Sequence, residues 1–123
     1  MGDRHVIGFT EKANAPIIYL YSQWGGEDQY KIAANAIEAA RPRFNHHDYA
    51  TRIAISAIVG NDWNQELGYG IAVNEFAMPD RSDILVINWG ESQVDVYEGD
   101  CHEELKLVHS IGFDIFARIT NVA

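Results

Sequence analysis

Three short stretches carry side chains able to do chemistry. In LYSQWGG, residues 20–26, Tyr21 and Trp24 can stack on a planar ring, and Gly25-Gly26 lets backbone N–H groups approach an anion at a helix start. The pattern is neither G-x-G-x-x-G nor a Walker A loop, because no Gly-Lys-Ser/Thr follows. Glu27 and Asp28 also bring negative charge to the place an anion would occupy. The plainer reading has Trp24 packed on a sheet edge and the glycines making a tight turn.

The second stretch, RPRFNHHD at residues 41–48, holds Arg41, Arg43, His46, His47 and Asp48, with Arg52 four residues further on. Guanidinium groups bind phosphate bidentately, so Arg41, Arg43 and Arg52 are candidate phosphate ligands. Alternatively, Arg41 and Arg43 are solvated cations after a helix end, and Arg52 forms a structural salt bridge with Asp48. Adjacent histidines are a poor metal motif. Neighbouring residues point apart in a strand or a helix, and neither H-x-H nor H-x-x-x-H spacing occurs here.

The third stretch, GNDWNQELGYGI at residues 60–71, sets Asn61, Asp62 and Trp63 between glycines. Polar loops on a rigid frame commonly carry function, and Trp63 with Asn61 can stack on and hydrogen-bond a small polar ring. A helix stop with Trp63 covering the core accounts for the same residues. No catalytic signature stands beside these stretches. None of the serines lies in G-x-S-x-G. Cys101 sits among Asp100, Glu103 and Glu104, which raise a thiol pKa. No catalytic residue, metal site or cofactor is assigned, and an enzyme is the less favoured class.

Charge narrows the partners. The net charge is −9, which disfavours polymeric nucleic acid. Residues 29–61 nevertheless hold four basic groups (Lys31, Arg41, Arg43, Arg52) against Glu38 and Asp48, a local +2 that leaves −11 for the rest. That window can hold a small anion. A single cysteine in 123 residues points to a reducing compartment. The charged MGDRHVIGFTEK start does not read as a signal peptide, and no run approaches the roughly 18–20 apolar residues of a membrane span. A cytosolic protein with no membrane partner is expected.

The elements that must position these residues are legible from periodicity. HVIGFT (5–10) and IIYLY (17–21) read as a strand hairpin. In QYKIAANAIEAA, Ile32, Ala33, Ala36, Ile37 and Ala40 share a face, predicting a helix capped at Asp28 and stopped near Ala40 by Pro42. YATRIAISAIVG predicts a second helix, apolar nearly all round and therefore buried, ending at Gly60-Asn61. YGIAVNEF predicts a strand, ILVINW a central strand buried on both faces, QVDVYE its hairpin partner, and LKLVH one more strand. GFDIFARI predicts a short C-terminal helix, with strand and helix patterns competing there. Residues 1–123 are expected to form a single α+β domain. It has a mainly antiparallel sheet of five to six strands, two central helices on one face and the short C-terminal helix.

LYSQWGG, ARPRFN, YATRI and GNDWNQELGYGI in this order resemble a group of small proteins of tailed bacteriophages, especially those of actinobacteria. There an LYSHWGG-like segment precedes an alanine-rich helix, and a Gly-Asn-Asp-Trp loop precedes TGYGI. The resemblance covers about residues 16–75. Gln23 stands where the group has histidine, and Leu67 where it has threonine. The resemblance implies a phage origin, hence host cytoplasm, and a protein that counters host defence. Two physical routes fit. One sequesters a small anionic (cyclic) nucleotide without cleaving it, as a homo-oligomer binding through Tyr21, Trp24, Arg41, Arg43, Arg52, Asn61 and Trp63. The other binds a host protein through the acidic surface. A small nucleotide hydrolase is the third alternative.

Overall fold

Alternation along β1 (His5–Thr10) decides the architecture, because both of its faces are buried. Ile7 and Phe9 point into the main core and Val6 into a second, smaller one. The computed structural model describes residues 2–76, 79–99 and 105–122. Cys101 and His102 lie outside them.

The remaining elements are β2 (Ile18–Ser22), α1 (Gln29–Ala40), α2 (His47–Val59), β3 (Tyr69–Val73), β4 (Asp83–Asn88), β5 (Gln93–Glu98), β6 (Lys106–Gly112) and α3 (Phe113–Ile119). The six strands make one sheet in the order β3-β2-β1-β4-β5-β6. Every neighbouring pair is antiparallel except β1 and β4, which run parallel. A parallel pair needs a long crossover, and α1, α2 and β3 supply it. The fold is α+β, with the short C-terminal helix formed as expected.

Alanine governs the helix layer. Ala33, Ala36 and Ala40 of α1 and Ala50 and Ala54 of α2 are buried against one another and the sheet. Such small side chains let helices pack closely. Larger groups fill the floor: Phe9, Leu20, Leu85, Ile87 and Val94. On the opposite sheet face, Val6, Tyr19, Ile84 and Val86 are buried, and among the described residues no helix packs on them. Phe76, from the loop after β3, lies 4.8 Å from Tyr19 between ring centroids. That cover explains why residues 84–87 of β4, ILVI, are apolar throughout.

Two expectations need correction. The second helix is not buried all round: Arg52 and Ala57 are exposed, and burial is confined to Ala50, Ala54, Ile55 and Val59. Alanine is apolar enough to mimic a core stripe but small enough to face solvent at little cost. Asp28 does stand just before α1, yet its side chain makes no capping bond. A 3-10 turn over Gly26–Asp28 leads into the helix, and its first N–H groups already have partners. The Gly26 N–H donates to the Asp3 carbonyl (2.9 Å), and the Glu27 N–H donates to the Asp3 carboxylate (2.7 Å).

Asp3 also accepts two bonds from Arg81, at 2.9 and 2.5 Å, while Asp80 takes a two-pronged contact from Arg4. The guanidinium partners hold both carboxyls below the usual range, Asp80 at about 2. A carboxyl with a lowered folded-state pKa adds stability above its unfolded value, and that stability is lost as pH falls through the folded pKa. Acid sensitivity from these pairs therefore spans roughly pH 4 down to 2. The Asp3→Asn/Asp80→Asn double variant should lose stability less steeply across that window in urea titrations. An unchanged slope would show that exposure and salt screening remove the effect.

Candidate functional site

A groove runs between β2–β3 and α2. Strand alternation places Ile18, Leu20 and Ser22 of β2 on the helix side, and they line its successive segments. Four residues of strand rise span roughly 13 Å. α1 and α2 pack tightly on each other, whereas α2 stands off from the β3 end of the sheet, and the gap becomes three hollows with shared walls.

The widest hollow, about 640 Å³, lies beside the N-terminal half of α2. Ile18, Ile55, Ile71, Phe9 and Trp89 give it an apolar floor. Trp89 is fixed there: its indole N–H donates to Thr51 Oγ1 at 2.9 Å, and its ring packs near Phe9, Phe44 and Phe113. Trp63, 49% exposed, stands between this hollow and a second of about 220 Å³ over Leu20 and Val59. Tyr69 is shared between the second hollow and a third of about 160 Å³ under Trp24. The size and lining of the widest hollow are those of a small-molecule site, mainly apolar with few placed polar groups.

The rim sets the charge. Arg52 is the arginine lining the groove, and Glu11, Asp48 and Asp62 are its acids. His47 Nδ1 lies 3.7 Å from Glu11 Oε1. Among the described residues, Arg52 and Asp48 form no ion pair, and the Asp48 carboxylate accepts the Tyr49 N–H instead. The guanidinium of Arg52 is thus not held by that local acid.

The sequence-derived candidates separate in space. Arg52 and Trp63 meet in the widest hollow, and Trp24 covers the third, its ring against Gly68. Tyr21 is on the opposite sheet face, donating its hydroxyl to Gln23. Arg41 donates to the Glu38 carboxylate through Nε and Nη2 and lies over Phe44. Arg43 lies over Tyr49, and Asn61 is exposed beyond the end of α2. His46 meets Tyr49 edge-on. Among the described residues, no three of His, Cys, Asp or Glu gather as a metal site.

Reading the sequence alone missed Thr51, Ile55, Ile71 and Trp89 as groove residues, and His5 and Ser22 as a polar pair within it. For Ser22 the signal was available: in a strand it must face opposite to Tyr21. For Trp89 it was not, since only the β1–β4 pairing brings it under α2.

Comparison with protein-family models, with curated proteins and with solved structures found no match to this chain. No helix among the described residues is long and apolar enough to cross a membrane.

Proposed function

We propose that the groove binds a small nucleotide-class ligand and holds it without cleaving it, the physical action of a phage protein that sequesters a host defence signal. The observation that carries this reading is an aromatic, apolar hollow of about 640 Å³ with Trp63 at its mouth and one guanidinium, Arg52, on its rim. A base stacks on Trp63, and a phosphate pairs with Arg52. Three rim carboxylates against one arginine select against a terminal phosphate carrying two charges. A phosphodiester carries one, so a cyclic or internally linked nucleotide fits better than a triphosphate.

A panel of cyclic and linear nucleotides in thermal-shift assays tests this. A cyclic nucleotide should raise the melting temperature and be recovered intact after denaturation. Arg52→Ala and Trp63→Ala should each weaken its binding about tenfold or more, as expected for a loss of 1.4 kcal/mol or greater. No shift with any nucleotide sinks the reading, and recovery of a changed ligand turns it into an enzyme.

One observation favours a second reading, a protein partner. β3 is a sheet edge with Ile71 and Val73 more than half exposed, close in sequence to the exposed Leu67, in a chain of net charge −9. Unpaired edge strands accept another strand. A basic host protein, or a second copy of this chain, docking there would protect the β3 amides from hydrogen exchange.

A further inference from the structure

His5 and Ser22 are direct partners in the β1–β2 register, side by side on the helix-facing surface of the sheet. They are 1% and 2% exposed, and among the described residues neither ring nitrogen of His5 nor the hydroxyl of Ser22 has a partner in hydrogen-bond geometry, although the Trp24 backbone is close enough to His5 to favour its protonated form. Buried polar groups left unpaired are costly, and native proteins rarely keep three together without something to satisfy them. Both side chains line the third hollow of the groove, together with Trp24, Tyr69, Ile32, Ile58 and the polar Asn35 among others. Gly25 forms the turn above. Its left-handed backbone (φ 92°) brings the chain over the ring, and a Cβ there would stand 2.9 Å from Ile32 and 3.5 Å from His5 Nε2.

We propose that this hollow is a subsite for a neutral planar heterocycle, a nucleobase edge, hydrogen-bonded by His5 and Ser22 beneath Trp24. A neutral imidazole offers one donor and one acceptor, and the hydroxyl offers both. One ring nitrogen, as donor or acceptor according to tautomer, and the hydroxyl beside it match an adjacent donor and acceptor on a base edge. Burial depresses the His5 pKa, which keeps the ring in that neutral form. Among the described residues no charged side chain lines the hollow, so they offer a phosphate no counter-charge in it. About 160 Å³ accommodates a single ring system rather than a whole nucleotide. The shared wall at Tyr69 leads toward Trp63 and Arg52, so an internally linked ligand with two bases seats one of them here and stacks the other on Trp63. The subsite deepens the proposed nucleotide reading and rests on it for the rest of the ligand.

The test is the side-chain nitrogen spectrum of the full chain labelled with 15N-histidine, titrated with adenosine, guanosine, cytidine and uridine. One nucleoside should move both His5 ring resonances. Ser22→Ala should weaken that nucleoside about tenfold, the effect of one lost hydrogen bond. The unliganded Ser22→Ala chain should melt at the same or a higher temperature, because a partnerless buried hydroxyl has gone. Absence of any His5 shift with all four nucleosides overturns the subsite, as does unaltered affinity in Ser22→Ala. The wild-type spectrum decides the matter even if replacing His5 prevents folding. A cyclic nucleotide that binds through Arg52 but leaves His5 unmoved would retain the groove and remove the subsite. A nucleoside that moves His5 while no nucleotide binds would do the reverse.

Discussion

Trp89→Ala should lower the unfolding free energy by about 3–5 kcal/mol, the usual range for truncating a buried large aromatic. Trp89 is 3% exposed and is held by three aromatic neighbours. Phe9 comes from β1, Phe44 from the connector between α1 and α2, and Phe113 from the start of α3. The indole N–H bonded to Thr51 adds α2 to the set. One side chain thus joins the sheet to α2, α3 and the connector between α1 and α2. Truncation removes transfer energy and leaves a void that the surrounding core fills only in part. Thr51→Val, which deletes only the acceptor, should cost about 1 kcal/mol. Urea unfolding gives both values. Equal losses in the two variants would mean that the hydrogen bond, not the packing, carries the effect. Trp89 also floors the widest hollow, so Trp89→Ala should loosen nucleotide binding in proportion to its disruption of that floor.

Gly90→Ala comes second, with an expected loss of about 3 kcal/mol, at the upper end for overpacking. A Cβ at residue 90 would lie 2.1 Å from the carbonyl oxygen of Glu11. That same carbonyl accepts the Gly90 N–H at 2.8 Å, and the Trp89 N–H donates to Thr10 just before it. The obstacle is backbone at the corner where β1 leaves the sheet, so no rotamer change relieves it. Gly70→Ala is the matched control: nothing lies within 4 Å of its added Cβ, and the substitution should be nearly neutral. A loss below about 1 kcal/mol for Gly90→Ala would mean that the corner yields easily. Because Glu11 borders the groove beside His47, a shifted corner should also alter ligand affinity.

The anion cradle suspected at LYSQWGG has a physical resolution. The N–H groups after Gly25 face negative charge, as a helix start favours, but the charge belongs to Asp3 and is balanced by Arg81. Neither residue is near the motif in sequence, so no local reading could supply them. The two aromatics of the motif part company for a simpler reason. Tyr21 lies within the strand and follows its alternation to the far face, whereas Trp24 lies beyond the strand and folds back over Gly68.

What the sequence determined by itself is the set of elements. Period-2 and period-3.6 patterns, the Pro42 stop and the Gly60 stop depend on neighbours a few residues apart. Every strand and helix inferred from them is present, with bounds shifted by a few residues. It also indicated Arg52 and Trp63, whose residue types suit a ligand whatever the fold. Only the tertiary structure decided which candidates share a site. Pairing β1 in parallel with β4 sends Trp89 beneath α2, and the antiparallel β1–β2 register sets His5 beside Ser22. The gap between α2 and β3 then makes a groove of residues as far apart as 5 and 89. Contacts across such separations follow from packing a whole layer of alanines and aromatics together, which no local pattern encodes.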